Sequence, residues 1–344
     1  MLKKLIPIFL CLCLTLSVGC SKKTETLSVD KGDEPSSTVE ETNTNVVNPL
    51  TGLKDVTSEQ AENRPVAIMV NNISVAQPVQ TGLNKADIIY ETEVEGGITR
   101  LMAVYQNIAD VEKIGTVRSA RYVYIDLAMG HNAIYVHHGA DEVYAGAHLK
   151  DADNFVLDTN NAGARISNGL ATEHTLYAYG DKLWESITAS SRTIKNKNTA
   201  TWQNFADEDS SVTLDYTATN VSVQFSGSYN TTFKYDTATG RYERYYNGTQ
   251  RKDYSTGETV TVKNVFVLNT DMGHYSDAYH RKIDLNSGSG YYFVNGTYTP
   301  ITWSKGADSN SFVFNKSDGT DLTVNAGDSW VCIVDEAQSQ PTIG

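Results

Sequence analysis

ADIIYETEVEGGITR, residues 86–100, is the stretch whose reading decides the fold. A β-rich run over 86–95 and another over 98–106 meet at Gly96-Gly97. Adjacent glycines accept positive φ at no steric cost, so the pair predicts a hairpin turn between two strands. A two-residue turn there sets Glu95 opposite Ile98 and Glu93 opposite Arg100. Glu91, Glu93 and Glu95 are spaced by two and fall on one strand face.

Working outward, 64–71 (RPVAIMVN) reads as a buried strand. Residues 119–129 carry a helical apolar pattern, and 132–137 reads as another strand. Short helices are expected over 141–149 and 181–190, each opened by an Asp suited to cap it. Interleaved strands and helices predict a mixed α/β domain over 49–205. From about 212 the texture changes to short alternating runs, among them 322–324. They are punctuated by Thr239-Gly240, Asn247-Gly248, Asn295-Gly296 and Asp318-Gly319. That pattern predicts a mainly antiparallel β domain over 212–336, followed by a tail over 337–344. The whole chain is therefore expected to be α+β, with the polar stretch 195–211 as the join.

The amino terminus has a different character. Lys3 and Lys4 precede an apolar run over 5–16, then Ser17, Val18, Gly19 and Cys20. A basic start, a short apolar core and small residues form an export signal over 1–19. The apolar run is shorter than the roughly 20 residues of a spanning helix. A Cys directly after the small residues resembles the lipobox of bacterial lipoproteins, in which Cys20 would become the acylated first residue. Residues 20–48 are polar and charged with few large apolar side chains, the composition of a flexible tether. As a coil it would reach a few tens of ångströms.

Losing Lys3 and Lys4 with the signal takes 28 basic residues to 26 against 41 acidic ones, a charge near −15. Such a chain lacks the clustered cations that neutralise phosphates, so no nucleic acid is expected as a partner. It is also repelled from anionic lipid, leaving Cys20 to anchor it to the membrane. Of the four cysteines only Cys332 lies in the folded body, within a buried-strand pattern, so an intramolecular disulfide is ruled out.

Three groups carry possible chemistry. Glu91 and Glu95 are the candidate catalytic carboxylates, because neighbouring acids push their pKa values apart. Arg100, Arg118 and Arg121 are candidate anion-binding residues. Arg118 and Arg121 are three apart where a loop enters a helix, and guanidinium groups grip carboxylates and phosphates. His137 and His174 complete the candidate binding residues. Their spacing matches no zinc signature, so no metal and no cofactor are expected. P-loop, G-x-G-x-x-G, G-x-S-x-G and C-x-x-C patterns are absent.

Residues 48–53 (NPLTGL), 64–67 (RPVA), 86–91 (ADIIYE), 95–100 (EGGITR) and 114–121 (IGTVRSAR) together resemble the YerB-like lipoproteins, as do 303–305 (WSK) and 327–330 (GDSW). The resemblance implies a two-domain surface lipoprotein of Gram-positive bacteria, at the outer face of the cytoplasmic membrane. It carries over no activity. Glu91, Glu95, Arg100, Arg118 and Arg121 match its motifs, whereas Glu93 falls at a variable position. The expected function is binding of a cell-envelope component or protein partner. The alternative is a peptidoglycan-acting enzyme with a Glu general acid and Arg residues holding the anion.

The lipid reading has a direct check. Intact mass of the native protein should show a chain beginning at an acylated Cys20. Cys20→Ser should move it out of the detergent-soluble membrane fraction. An unprocessed amino terminus on the native chain would remove the anchor.

Overall fold

Ile88–Glu93 and Ser329–Asp335 lie side by side as parallel strands, and this long-range pairing organises the molecule. The computed structural model describes residues 45–196, 200–338 and 340–344. The signal over 1–19, Cys20 and the tether up to residue 44 lie outside the described residues.

In chain order the labelled strands are β1 (Val66–Asn71), β2 (Ile88–Glu93), β3 (Thr99–Tyr105), β4 (Ile134–His137), β5 (Asn154–Val156), β6 (Asn220–Ser226), β7 (Tyr229–Asp236), β8 (Arg241–Tyr246), β9 (Asn264–Thr270), β10 (Ser287–Val294), β11 (Thr297–Ser304), β12 (Val313–Lys316) and β13 (Ser329–Asp335). Two nine-residue helices are α1 (Tyr122–Gly130) and α2 (Gly180–Thr188). The fold is mixed and mostly β. An eleven-stranded sheet runs β12-β11-β10-β9-β13-β2-β3-β1-β4-β5, with Tyr216–Thr217 added beside β11. Strands β9, β13 and β2 are parallel, and so are β1, β4 and β5. Antiparallel β3 lies between β2 and β1, so both groups point the same way. Their carboxyl ends share one sheet edge.

The second half thus does more than form its own antiparallel sheet: β6, β7 and β8 do so, while β9 and β13 enter the main sheet. Burial follows the strand period of two. On one face Ile89, Leu101, Val265 and Cys332 pack against Val223 and Phe233 of the second sheet and Leu183 of α2. On the other, Ile88, Tyr90, Met102 and Phe266 pack with Tyr124 and Leu127 of α1. Cys332 is buried and free, as a core residue.

Several boundaries differ from the sequence reading. Residues 45–48, expected in the tether, belong to the fold: Val46 bridges Val56, and Asn48 donates to Asp87 at 2.8 Å. Of the expected tail, Thr342–Ile343 pairs with β6 and packs on the core. The polar join contains buried Trp202, whose backbone N–H donates to Pro49 O. Residues 322–324 form no labelled strand; Leu322 and Val324 are buried all the same. The helix expected over 141–149 is confined to Ala145–His148, with Asp141 accepting from Tyr144 and Ala145 N–H groups. Asp181 lies inside the first turn of α2 rather than capping it.

The hairpin register also changes. The connection is the three-residue turn Glu95–Gly97, with Gly96 and Gly97 both at φ 69°. Val94 N–H donates to Ile98 O at 2.8 Å. The extra residue places Glu93 opposite Thr99 and Thr92 opposite Arg100, so the expected Glu93–Arg100 pair does not form.

Glu91 points into the space between the two sheets, 1% exposed. Its oxygens accept from Thr231 Oγ1, Thr99 Oγ1, Asn72 Nδ2 and Trp330 Nε1. Arg244 of β8, fully buried, lies 3.9 Å away and stacks over the Trp330 ring at 4.7 Å. Burial raises the Glu91 pKa and lowers that of Arg244, each against the other's attraction. Desolvation therefore outweighs the ion pair, and the two groups specify how the sheets mate rather than adding net stability. Arg244→Met should destabilise by about 3–5 kcal/mol in urea melts, because it strands a buried carboxylate. Adding Glu91→Gln should recover part of that loss; a double variant no more stable than the single would refute the coupling.

Asp87 is a half-buried acid at the rim of a depression, accepting from Gln106 N–H (2.6 Å) and Asn48. Burial pushes its pKa up from 3.8 to about 7. The folded chain holds this proton where the unfolded chain releases it. The stabilising contribution is complete below about 3.8 and is lost as pH rises toward about 7. From pH 5 to 7, Asp87→Asn should gain on wild type by about 1.4 kcal/mol per pH unit and level off above. A pH-independent difference between the two would contradict this.

Candidate functional site

The carboxyl edge of the main sheet collects most of the charged side chains singled out above. Open α/β sheets place ligands at this edge, because strand ends and helix starts leave groups unpaired there. Strand β2 ends at Glu93, and the turn that follows projects Glu95. Arg121 caps the start of α1, and its Nε donates to both Glu95 oxygens at 2.6 and 2.8 Å.

Arg100 opens the buried face of β3 and donates to Ser119 O. Its guanidinium is pushed down to about 9, first by burial and then by repulsion from Arg121 and Arg118. Arg118 is held by a strand-like segment: its N–H donates to Met69 O, and its carbonyl accepts from His138 N–H. One guanidinium nitrogen donates to Glu173 O at 3.0 Å, while buried Nε has no protein partner. Burial also lowers the Arg118 pKa, opposed by Glu173 and reinforced by Arg121. Three guanidinium groups thus repel one another around a single directly paired carboxylate.

The other predicted residues divide. His174 sits beside Arg118, with Nδ1 2.9 Å from Asn71 Nδ2 and Nε2 3.1 Å from Glu173. Burial lowers its pKa, opposed by Glu173 and reinforced by Arg118. His137 has Nδ1 on Gly139 O at 2.8 Å and Nε2 near Asn154 Oδ1, and burial holds its pKa down. Both ring nitrogens are engaged within the protein. Glu91 is not at this edge; it is sealed between the sheets.

The segment after β9 brings groups that the sequence reading did not single out. Residues Met272–His274 and Arg281–Ile283 form a small hairpin. Arg281 donates to Glu93 at 3.0 Å and lies 3.7 Å from Asp335 at the end of β13. His280 Nδ1 meets Asp277 at 2.5 Å, and Nε2 faces Asp141 at 3.8 Å and Glu95 at 3.9 Å. Tyr144 stacks on Tyr275 at 4.0 Å. The signal was the dense polar run 275–281 (YSDAYHR), whose placement needed the long-range entry of β9. These groups surround a notch of only ≈ 20 Å³, room for about one water. The edge is therefore a charged surface and not an enclosed chamber.

Comparison with known proteins agrees with this architecture. Residues 50–195 match the model "Protein of unknown function (DUF3048) N-terminal domain", and 221–331 match the corresponding C-terminal domain. The chain is 31% identical over 299 residues to YerB of Bacillus subtilis (strain 168), which its name gives as a candidate lipoprotein. That match covers 83% of this chain and 85% of the relative. The crystal structure of the Bacillus subtilis YerB protein is similar, with a TM-score of 0.74 at 29% identity. It covers 86% of this chain and 99% of the solved one. The chain belongs to the YerB family, built from the DUF3048 N- and C-terminal regions.

Proposed function

We propose that this chain is a lipid-anchored protein at the outer face of the cytoplasmic membrane that binds an anionic cell-envelope ligand at the carboxyl edge of its main sheet. The observation that carries the reading is the meeting of Arg100, Arg118 and Arg121, among the described residues, with Glu95 directly paired to Arg121 and Glu173 near Arg118. Gathering like charges costs free energy, and an anion in their midst offsets it. A carboxylate or a phosphate suits guanidinium geometry, and Arg118 Nε is a donor still to be satisfied. The start of α1 adds its own partial positive charge beside Arg121. The Cys20 lipobox and the name of the Bacillus relative support the anchor.

Peptidoglycan cleavage is the competing reading, and two features weigh against it. Glu91 is out of a substrate's reach, and both Glu95 oxygens are spent on Arg121. The notch is also far below the roughly 300–1,000 Å³ of small-molecule sites.

Titration of the soluble body with muropeptides bearing free carboxylates should show saturable binding that weakens with salt. Arg118→Gln should weaken it at least about tenfold, the worth of a charge-assisted hydrogen bond. Peptidoglycan incubated with the protein should release no soluble fragments by mass spectrometry. Fragments that appear with wild type and vanish in Glu95→Gln would establish the enzyme instead.

A further inference from the structure

One face of α1 carries a second group of ionisable side chains. Tyr122 and Asp126 are four residues apart on that helix and so lie side by side. His148, at the end of the short helix Ala145–His148, docks against them. Its ring stacks on Tyr122 at 4.2 Å, and its Nε2 lies 2.5 Å from Asp126 Oδ1. Asp308, in the loop after β11, completes the group. Asp126, His148 and Asp308 each bring one ligand atom within 4.8 Å of the other two.

This is not a patch of acids alone, because a buried imidazole is at its centre. His148 is 8% exposed, and its other ring nitrogen, Nδ1, is 3.2 Å from Asp151 Oδ2. A carboxylate on the far nitrogen fixes the tautomer of a metal-bound imidazole and aims the remaining lone pair at the ion. With Nδ1–H donated to Asp151, the Nε2 lone pair faces a carboxylate oxygen, and the two repel unless a proton or a cation joins them. A proton serves that pair alone. It leaves Oδ2 of Asp126, itself a buried residue, without a hydrogen-bond partner among the described residues. It also gives exposed Asp308 no role, since the Asp308 carboxylate accepts no hydrogen bond from the described residues. Lys305 attracts both acids, but its ammonium is spent on the backbone carbonyls of Ala307 and Asp308. Charge points the same way. Asp126, Asp151 and Asp308 against Lys305 leave two negative charges when the imidazole is neutral, which a divalent ion balances.

We propose that Asp126, His148 and Asp308 bind a divalent transition-metal ion of the Zn²⁺ class, with a further position open to solvent on the Asp308 side. One imidazole and two carboxylates suit Zn²⁺ better than Ca²⁺, which takes six or more oxygens. Tetrahedral ligands about 2.1 Å from Zn²⁺ stand about 3.4 Å apart. That spacing falls between the 2.5 Å of the His148–Asp126 pair and the 4.8 Å limit of the set, so small side-chain movements collect all three. His137 and His174, the imidazoles singled out from the sequence, take no part. No spacing motif marks the set, because Asp308 arrives some 160 residues after His148. None of the three ligands lines the carboxyl-edge notch.

The test is titration of the native chain in detergent, first stripped with a chelator, with Zn²⁺ alone by calorimetry and with Co²⁺ by visible absorption. Zn²⁺ should bind saturably, and Co²⁺ should develop the visible bands of a four-coordinate ion. His148→Gln and Asp308→Asn should each weaken Zn²⁺ binding at least about tenfold, with thermal melting confirming that both variants fold. Asp308 is exposed, so its substitution probes the site without disturbing the core. Absence of saturable Zn²⁺ uptake by wild type would overturn the proposal. So would equal affinity in wild type and both folded variants, which would put the ion elsewhere, or Ca²⁺ binding in place of Zn²⁺ that His148→Gln leaves intact.

Discussion

The buried meeting of Glu91 with Arg244 is the constraint on which the two-sheet arrangement depends. Two charges out of water are costly, and hydrogen bonds to their remaining lone pairs and protons offset that cost. Thr99, Thr231, Asn72 and Trp330 supply the partners of Glu91, and they come from β3, β7, the loop after β1, and β13. Gln80 and Asn72 accept from Arg244 in turn, while its buried Nε–H has no partner within the protein. A second sheet slid out of this register would leave these groups buried and unpaired. An apolar core alone would have allowed the second sheet to slide over the first, because hydrophobic contact is non-directional. A polar network in the same place has one register.

That register has consequences at the sheet edge. Because β13 must lie beside β2 for Trp330 to reach Glu91, Asp335 at the end of β13 emerges next to Glu93. The hairpin after β9 then falls over the same edge and delivers Arg281 and His280. Residues more than 180 positions apart in sequence become neighbours through strand order alone. The arginine group arises similarly from β3, the segment threaded between β1 and β4, and the start of α1. Six strands of one direction concentrate these groups at one end, which is the general reason parallel sheets carry sites there.

Much of this was legible in the sequence. The strands around 64–71, 86–95 and 98–106 follow from β-branched and aromatic runs between glycines and polar residues. Their positions hold to within about two residues, the usual uncertainty of element ends. The grouping of Arg121 with Glu95 was implicit in two motifs that flank a hairpin and a helix start. What was not legible depended on a single residue or on distance. Two glycines mark a turn but do not tell a two-residue from a three-residue loop, and one residue of slip moved Glu93 from Arg100 to Thr99. The entry of β13 beside β2 spans some 240 residues, and local pattern carries no signal for it. The burial of Glu91 follows from that entry, so a carboxylate expected among the catalytic candidates is a core residue. Trp202 was hidden in a polar stretch whose composition suggested a linker.

The two ends of α1 differ in electrostatic character, and the difference has a physical basis. A nine-residue helix is about 13–14 Å long. Its amino end carries partial positive charge and is joined by Arg121, so that end favours anions. Its carboxyl end carries partial negative charge, which a protonated His131 would offset. The structure declines that gain: His131 is buried against Trp202 and Tyr90 and stays neutral. Burial costs the imidazolium more than the helix end returns. An uncharged ring therefore sits where a cation would be favoured. The two ends of the same helix thus differ in charge: a guanidinium stands at one and a neutral imidazole at the other.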